Sequence, residues 1–408
     1  MDYKILKDVL IFTGAGFSKP AGCKLSDEML KDLKEKLNDR KNNIFTNVEK
    51  KMIKFIISCL DYQTHWHLFN NDKSSYTSNI EEFIFLLRQI KNKKNYLPNF
   101  VTKNWFNKII FLEKEFEKEK QKNENDLYTS IEKKIITKYY KEWLNYNNIS
   151  YLNKLKTFIK NNLSNVNLKL DIFTLNNDLI MEETFKEENS LYTGFVNNKW
   201  VGFENFDIED NTFSTSRINY YKLHGSLDWA RLIDGTIIKN IQENENLKIE
   251  IYPFLIFGHG IKTYTIDPFF SLLETFKAKL KEKKYYLIIG YNFLDPHINN
   301  FIFNELINNE EKLLLIFNPK INNKIQETDF YINELKILKE NKKQILIEEF
   351  ENIQKNPLYS DTPEFNIKKI PIESFEYSPI KTEEFLDLLN NNKIINFLNN
   401  IKNQKNFF

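Results

Sequence analysis

Apolar residues follow two different periods along this chain. Val9–Phe12 is a continuous, β-prone apolar run that passes directly into Thr13-Gly14-Ala15-Gly16-Phe17-Ser18. A run apolar on both faces predicts a buried parallel strand, here feeding a glycine turn. From about residue 27 to 165 the spacing turns helical, with amphipathic stretches at 47–60, 78–90, 127–146 and 150–163. Ser78-Asn79-Ile80-Glu81 reads as a capping box that starts the second of these. Strand-like runs return at 170–174, 220–223, 254–257, 285–290 and 313–317, and helical stretches at 268–281 and 296–308 separate the last three. This alternation predicts an α/β protein: a Rossmann-like doubly wound parallel sheet that unites both strand regions, with a large all-helical insertion between them. Beyond about residue 330 the pattern weakens to an amphipathic piece at 331–339, a strand-like run at 345–350, a proline-containing extended stretch at 371–379 and a closing helix at 383–401.

The expected division is a Rossmann domain of residues 1–29 with 165–330, a helical insertion of 30–164, and a small C-terminal extension of 331–408. The closing helix carries Phe385, Leu388, Leu389, Ile394, Ile395 and Leu398 on one face. That face either packs on its own domain or offers an assembly surface.

Composition narrows the function class. The 408 residues hold 58 Lys and Arg against 56 Asp and Glu, a net charge of +2, so a generic nucleic-acid binder is not indicated. A hydrophobic content of 41% with 35 Phe and 20 Tyr supports a packed interior. No stretch approaches the roughly 18 apolar residues of a spanning helix, so a cytoplasmic location is expected. Two cysteines, Cys23 and Cys59, cannot build a four-thiolate zinc site. His65 and His67 lack acidic or thiol partners at ligand spacing, and no metal is expected.

Four segments carry candidate chemistry, each at the exit of a predicted strand. Gly14-Ala15-Gly16 suits backbone approach to a pyrophosphate, although position 19 is Lys where a full G-x-G-x-x-G would have its third glycine. An ordinary tight turn explains it equally well. Thr174-Leu175-Asn176-Asn177-Asp178 places Asn176 to hold a ribose hydroxyl or a water and Asp178 to orient a neighbour, while Asn and Asp after a strand are also common turn formers. Lys222-Leu223-His224-Gly225-Ser226 presents a histidine with the ordinary pKa of a general base, or a structural one. Gly290-Tyr291-Asn292-Phe293-Leu294-Asp295-Pro296-His297 reads as a strand-to-helix connection with Asp295 as N-cap.

Taken in order, these segments resemble the sirtuin superfamily. Gly14-Ala15-Gly16-Phe17-Ser18 resembles its Gly-Ala-Gly-x-Ser loop, Thr174-x-Asn176-x-Asp178 its Thr-Gln-Asn-x-Asp, and His224-Gly225 its catalytic His-Gly. The segment from Gly290 to His297 is similar to one found in sirtuin-like proteins of bacterial antiphage defence, most like the HerA-associated type, and Asn79-Ile80-Glu81 also fits. The resemblance implies NAD as substrate and Asn176, His224 and Asp178 as catalytic residues. Gly14, Ala15, Gly16 and Ser18 would cradle the pyrophosphate. Gly225, Ser226, Gly290, Asp295 and His297 complete the implied NAD site, with Gly290 and Asp295 towards the adenosine half.

Departures from the family pattern shape the implied activity. The four-cysteine zinc module of the protein deacylases is missing, Leu175 replaces the family Gln, and Gly22-Cys23-Lys24 replaces the Phe- and Arg-bearing loop. Peptide deacylation is therefore disfavoured. The expectation is NAD hydrolysis to nicotinamide and ADP-ribose, acting by NAD depletion in abortive infection. Because unregulated turnover would starve the cell, gating by a signal or by a partner such as a HerA-like ATPase is implied, with homo-oligomer assembly. The alternative is a non-catalytic module that senses NAD or ADP-ribose.

Overall fold

The computed structural model describes residues 2–39, 43–70, 78–92, 103–120, 125–163, 168–188, 190–203, 217–240, 247–258, 266–293, 295–309, 311–317, 345–346 and 381–403. The stretches expected at 331–339 and 371–379, and most of 345–350, lie outside them. The chain divides into two compact units: one of Met1–Cys23, Tyr146–Leu255 and Thr263–Phe408, the other of Lys24–Asn145 and Ile256–Lys262.

The first unit is built on a seven-stranded, wholly parallel sheet. Its strands are β1 (Val9–Thr13), β2 (Leu170–Thr174), β3 (Leu191–Tyr192), β6 (Ile218–Lys222), β10 (Tyr285–Ile289), β11 (Leu313–Phe317) and β12 (Ile345–Leu346), in the order β12-β11-β10-β1-β2-β6-β3. Leaving aside short β3, this is the Rossmann strand order 6-5-4-1-2-3, and the direction of winding reverses between β1 and β10. β1, β2, β10 and β11 are buried along their whole length, which explains their unbroken apolar runs. The one charge among them, Asp171, is matched by Lys283 at 2.8 Å and by hydrogen bonds from Asn219 and Tyr221. Helices Phe269–Glu282 and Pro296–Asn308 form the crossovers after residue 268.

The unit also holds a small antiparallel sheet absent from the sequence expectation. It consists of β4 (Phe195–Val196), β5 (Lys199–Trp200), β7 (Trp229–Leu232), β8 (Ile237–Lys239) and β9 (Ile249–Ile251), in the order β4-β5-β8-β7-β9. β4 and β5 are joined by Asn197 and Asn198, both at positive φ (47° and 62°). An Asn-Asn pair tolerates the left-handed turn that a two-residue hairpin needs, so it was the legible signal. Phe195, Trp200 and Trp229 pack their rings together with centroids 5.1–5.9 Å apart.

Phe254–Phe257 does not join a sheet as a strand. It makes one isolated bridge, Gly225 to Leu255, while Phe254, Ile256 and Phe257 are buried as individual side chains. Apolarity there reflects burial, with Phe254 packed against Phe269, and not ladder pairing. The closing helix is likewise two helices, Thr382–Asn390 and Lys393–Asn403, broken at Asn392 with φ 60°. Phe385, Leu388, Leu389, Ile394, Ile395 and Leu398 are all at most 2% exposed. That apolar face packs within its own chain, against Phe317 among others.

The second unit is helical: Ser26–Asn38, Asn47–Asn70, Ile80–Asn92, Lys103–Glu119, and Leu127–Lys134 continuing through a π turn, Ile135–Tyr140, into Lys141–Trp143. The capping box stands one residue later than the sequence pattern suggested. Asn79 accepts from the Glu81 and Glu82 amides, and Glu82 accepts from the Asn79 amide at 3.2 Å. Asn79 reaches the free amides as well as Ser78 would, and Glu82 is the acid three residues on. Fully buried Glu49 is held by Lys134 at 2.7 Å and Ser130 at 2.7 Å.

Candidate active site

Strand register brings the candidate segments to one edge. Thr13 pairs with Thr174 and with Ile289, and Thr174 pairs with Lys222. The residues that follow, Gly14, Leu175, Leu223 and Gly290, therefore leave four consecutive strands at the same level. This is the carboxyl end of the sheet, at the reversal where open α/β sheets hold ligands.

Gly14 and Gly16 are required by a protein contact. A Cβ on Gly14 would lie 2.6 Å from the Gly290 carbonyl oxygen, and one on Gly16 would lie 2.7 Å from Gly290 Cα. The Gly14 amide donates to Ile289 O and the Gly16 amide to Gly290 O, each at 2.9 Å. Phe17 N donates to Gly14 O at 2.9 Å. Three of the turn's amides are thus engaged inside the protein, and Ala15 is its exposed residue. The turn is further held by Tyr151 Oη on Phe17 O and Thr382 Oγ1 on Gly16 O, both at 3.0 Å.

Asn176, Ser18 and Asp178 form a chain of hydrogen bonds. Asn176 Nδ2 donates to Gly14 O at 2.9 Å and to Ser18 Oγ at 2.8 Å, and Ser18 Oγ donates to Asp178 Oδ2 at 2.6 Å. Both amide protons of Asn176 are thereby placed, which fixes the side chain and leaves its Oδ1 as the acceptor it can present. Asp178 Oδ1 takes the Ile180 amide at 3.2 Å, so this buried carboxylate orients Ser18 while accepting from the first amide of the next short helix. Cys23, beside Asp178, has its thiol pushed up to about 12 by burial, with the Asp178 charge adding to the effect. A thiol so raised is no nucleophile at neutral pH.

His224 is 7% exposed, and its Nε2 stands 3.3 Å from Asp295 Oδ2. Its carbonyl and that of Gly225 accept from Asn177 Nδ2 at 2.7 and 2.9 Å, so the loop after β2 fixes the loop after β6. Asp295 Oδ1 meanwhile caps helix Pro296–Asn308 through the His297 and Ile298 amides. Asp295 thus stands against the imidazole. Ser226 is fully buried, its hydroxyl accepting from Lys222 at 2.7 Å, and a Cβ on Gly225 would meet Phe254 O at 2.4 Å. His297 is half-buried at the start of its helix.

The sequence reading gave no role to Lys222, 1% exposed, whose Nζ also donates to the Asp178 carbonyl and to Glu182 Oε1 at 2.9 Å. Burial raises the Glu182 carboxyl, with Lys222 opposing. A lysine ending an otherwise buried strand was the available signal, since a buried ammonium must be paired. Asn177 and Thr382 were also unassigned. Among the described residues no group of three or more His, Cys, Asp and Glu is placed to hold a metal ion, and no helix is long and apolar enough to cross a membrane.

Strand order and site define a doubly wound α/β protein of Rossmann order with a polar site at its topological switch point. Residues 171–338 match the SIR2-like domain family, a span that runs from β2 onward and leaves β1 and its glycine turn outside. No curated relative matches the chain in sequence. Two solved structures are similar: a Sir2 homologue mutant in complex with ADP-ribose (12% identity, 97% of this chain and 98% of that chain, TM-score 0.34), and a Sir2 homologue–NAD complex (11% identity, 80% and 86%, TM-score 0.31).

Proposed function

We propose that this chain binds NAD across the carboxyl ends of β10, β1, β2 and β6 and hydrolyses its nicotinamide–ribose bond. The supporting observation is the register that brings Gly14 and Gly290, and one residue further along their strands' exits Asn176 and His224, to the switch point of a Rossmann-ordered sheet. In this reading the C–N bond breaks with its electron pair leaving on neutral nicotinamide, and the ribose passes through an oxocarbenium-like state. Asn176 Oδ1, held by Gly14 and Ser18, accepts from the ribose hydroxyl or from the attacking water. Water oxygen bonds to the anomeric carbon, and His224, with Asp295 against its Nε2, takes up the proton the water loses. Asp178 acts through Ser18. A phosphate reaching the glycine turn meets Ala15, because the Gly14, Gly16 and Phe17 amides are already engaged.

The fit to NAD rests on the fixed Asn176 carbonyl and the paired imidazole on neighbouring strands. In this proposal residues 1–29 with 165–330 carry the reaction, 30–164 are an insertion, and 331–408 an extension. The cellular role proposed is antiphage defence by NAD depletion, gated by a signal or a HerA-like ATPase partner and exerted by a homo-oligomer.

Product analysis of NAD incubated with the purified chain tests the reaction. Nicotinamide and ADP-ribose should appear without any acetyl-lysine peptide, and His224→Ala and Asn176→Ala should each lower the rate about 100-fold or more. Turnover that requires the peptide would overturn the hydrolase reading, and so would turnover that survives both substitutions.

A further inference from the structure

We infer that the buried pair Tyr291 and Asn299 positions His224, by holding Phe293 in a left-handed backbone conformation that sets Asp295 against the imidazole. The inference rests on the reading of His224 as proton acceptor. Phe293 has φ 54°, a conformation that bulky L-residues avoid because Cβ crowds the following carbonyl. Such strain persists only where the surroundings over-determine it, and it gathers at functional sites.

Here the restraints are explicit. Asn299, 1% exposed, donates from Nδ2 to Phe293 O at 2.7 Å, and its Oδ1 accepts from Tyr291 Oη at 2.7 Å. Tyr291 Oη also accepts from the Asp295 amide at 3.3 Å. Two side chains therefore grip the backbone on both sides of the turn. Tyr291 is itself fixed by ring contacts with Phe12 at 5.0 Å and Phe293 at 4.9 Å. An N-cap needs only Oδ1 of Asp295, which takes both helix amides; Oδ2 stands beside His224 Nε2.

From the β10 side the His224 imidazole faces Asp295. On its own strand, Lys222 is directed to Glu182, Ser226 and the Asp178 carbonyl, and from the β2 side Asp178 is held by Ser18. From the same loop, neutral Asn177 binds the His224 carbonyl. Displacing Asp295 should therefore register at His224 directly.

The test is the NMR titration of histidine imidazoles in the full chain, assigned with His224→Gln, for wild type, Tyr291→Phe, Asn299→Leu and Asp295→Asn. Tyr291→Phe keeps the ring and removes only the hydroxyl, so it reports even if Asn299→Leu does not fold. The expected result is a His224 midpoint about half a pH unit or more lower in both positioning variants, moving towards that of Asp295→Asn, while the other four histidines stay in place. NAD turnover should fall about ten-fold in kcat with KM within about two-fold. A His224 titration that coincides with wild type in Tyr291→Phe overturns the inference and leaves these residues a purely structural role. Because the titration is read without turnover, absence of NAD hydrolysis in the wild type would count against the proposed function alone.

Discussion

Replacing Gly290 with alanine isolates the contact that brings β1 and β10 together at the site. Gly290 has φ +62°, and a Cβ there would lie 2.5 Å from Phe17 N and 2.6 Å from Gly16 C, both backbone atoms that cannot swing away. Gly202 is the internal control, because its φ is +84° and among the described residues nothing lies within 4 Å of a Cβ. Both substitutions incur the left-handed penalty, about 1–2 kcal/mol. Only Gly290→Ala adds overlap with rigid neighbours, about 1–3 kcal/mol. Gly290→Ala should therefore be less stable than Gly202→Ala by about 1–3 kcal/mol, or roughly 2–10 °C in thermal midpoint. Urea and thermal unfolding followed by circular dichroism measure that gap. Equal destabilisation by the two alanines would refute the claim that the glycines interlock, and would return Gly14 and Gly16 to the simple role of exposing amides to a ligand.

Two further outcomes follow from buried contacts. Thr382→Val removes the hydroxyl that holds Gly16 O; losing about 1 kcal/mol of turn positioning should weaken NAD binding about five-fold by calorimetry, and an unchanged Kd would show that the C-terminal helix does not steady the turn. Burial acts to raise the Asp171 carboxyl, but the Lys283 and Lys279 charges outweigh it and hold the group below its ordinary value. A carboxyl depressed in the folded state stabilises above its unfolded pKa of about 3.9, and that contribution is lost as pH falls through the folded value. Asp171→Asn should then cost about 3 kcal/mol at pH 7, by leaving Lys283 buried beside a neutral amide, and less near pH 3, below the unfolded value of about 3.9. Urea unfolding at the two pH values checks this, and a penalty that does not change with pH would contradict it.

Much of the fold was legible along the chain because its strongest elements are the most buried. Strands at 9–13, 170–174, 285–289 and 313–317 lie inside the sheet with apolar helices over it, so their runs are continuous, and the crossover helices after residue 268 carry an apolar stripe. The small antiparallel sheet was not, since strands of two to four residues leave no period to detect beyond the Asn197-Asn198 turn. At 254–257 burial mimicked a strand, because hydrophobicity marks exclusion from water and not hydrogen-bond pairing.

By itself the sequence determined that the candidate residues Gly14, Asn176, His224 and Gly290 each stand at the exit of an apolar strand. Only the tertiary structure decided who faces whom. It set β10 beside β1, so that Gly290 fills the space of two missing side chains, and it joined Ser18 to Asp178, Asn177 to the His224 carbonyl, and Asp295 to the imidazole. It also gave buried Lys222 its partners and returned Thr382 to the glycine turn. Except for Lys222–Ser226, these contacts join residues 40 to 366 positions apart. Chain periodicity records the burial of each segment, whereas the choice of neighbour is made by packing the whole sheet, and it leaves no local mark on the sequence.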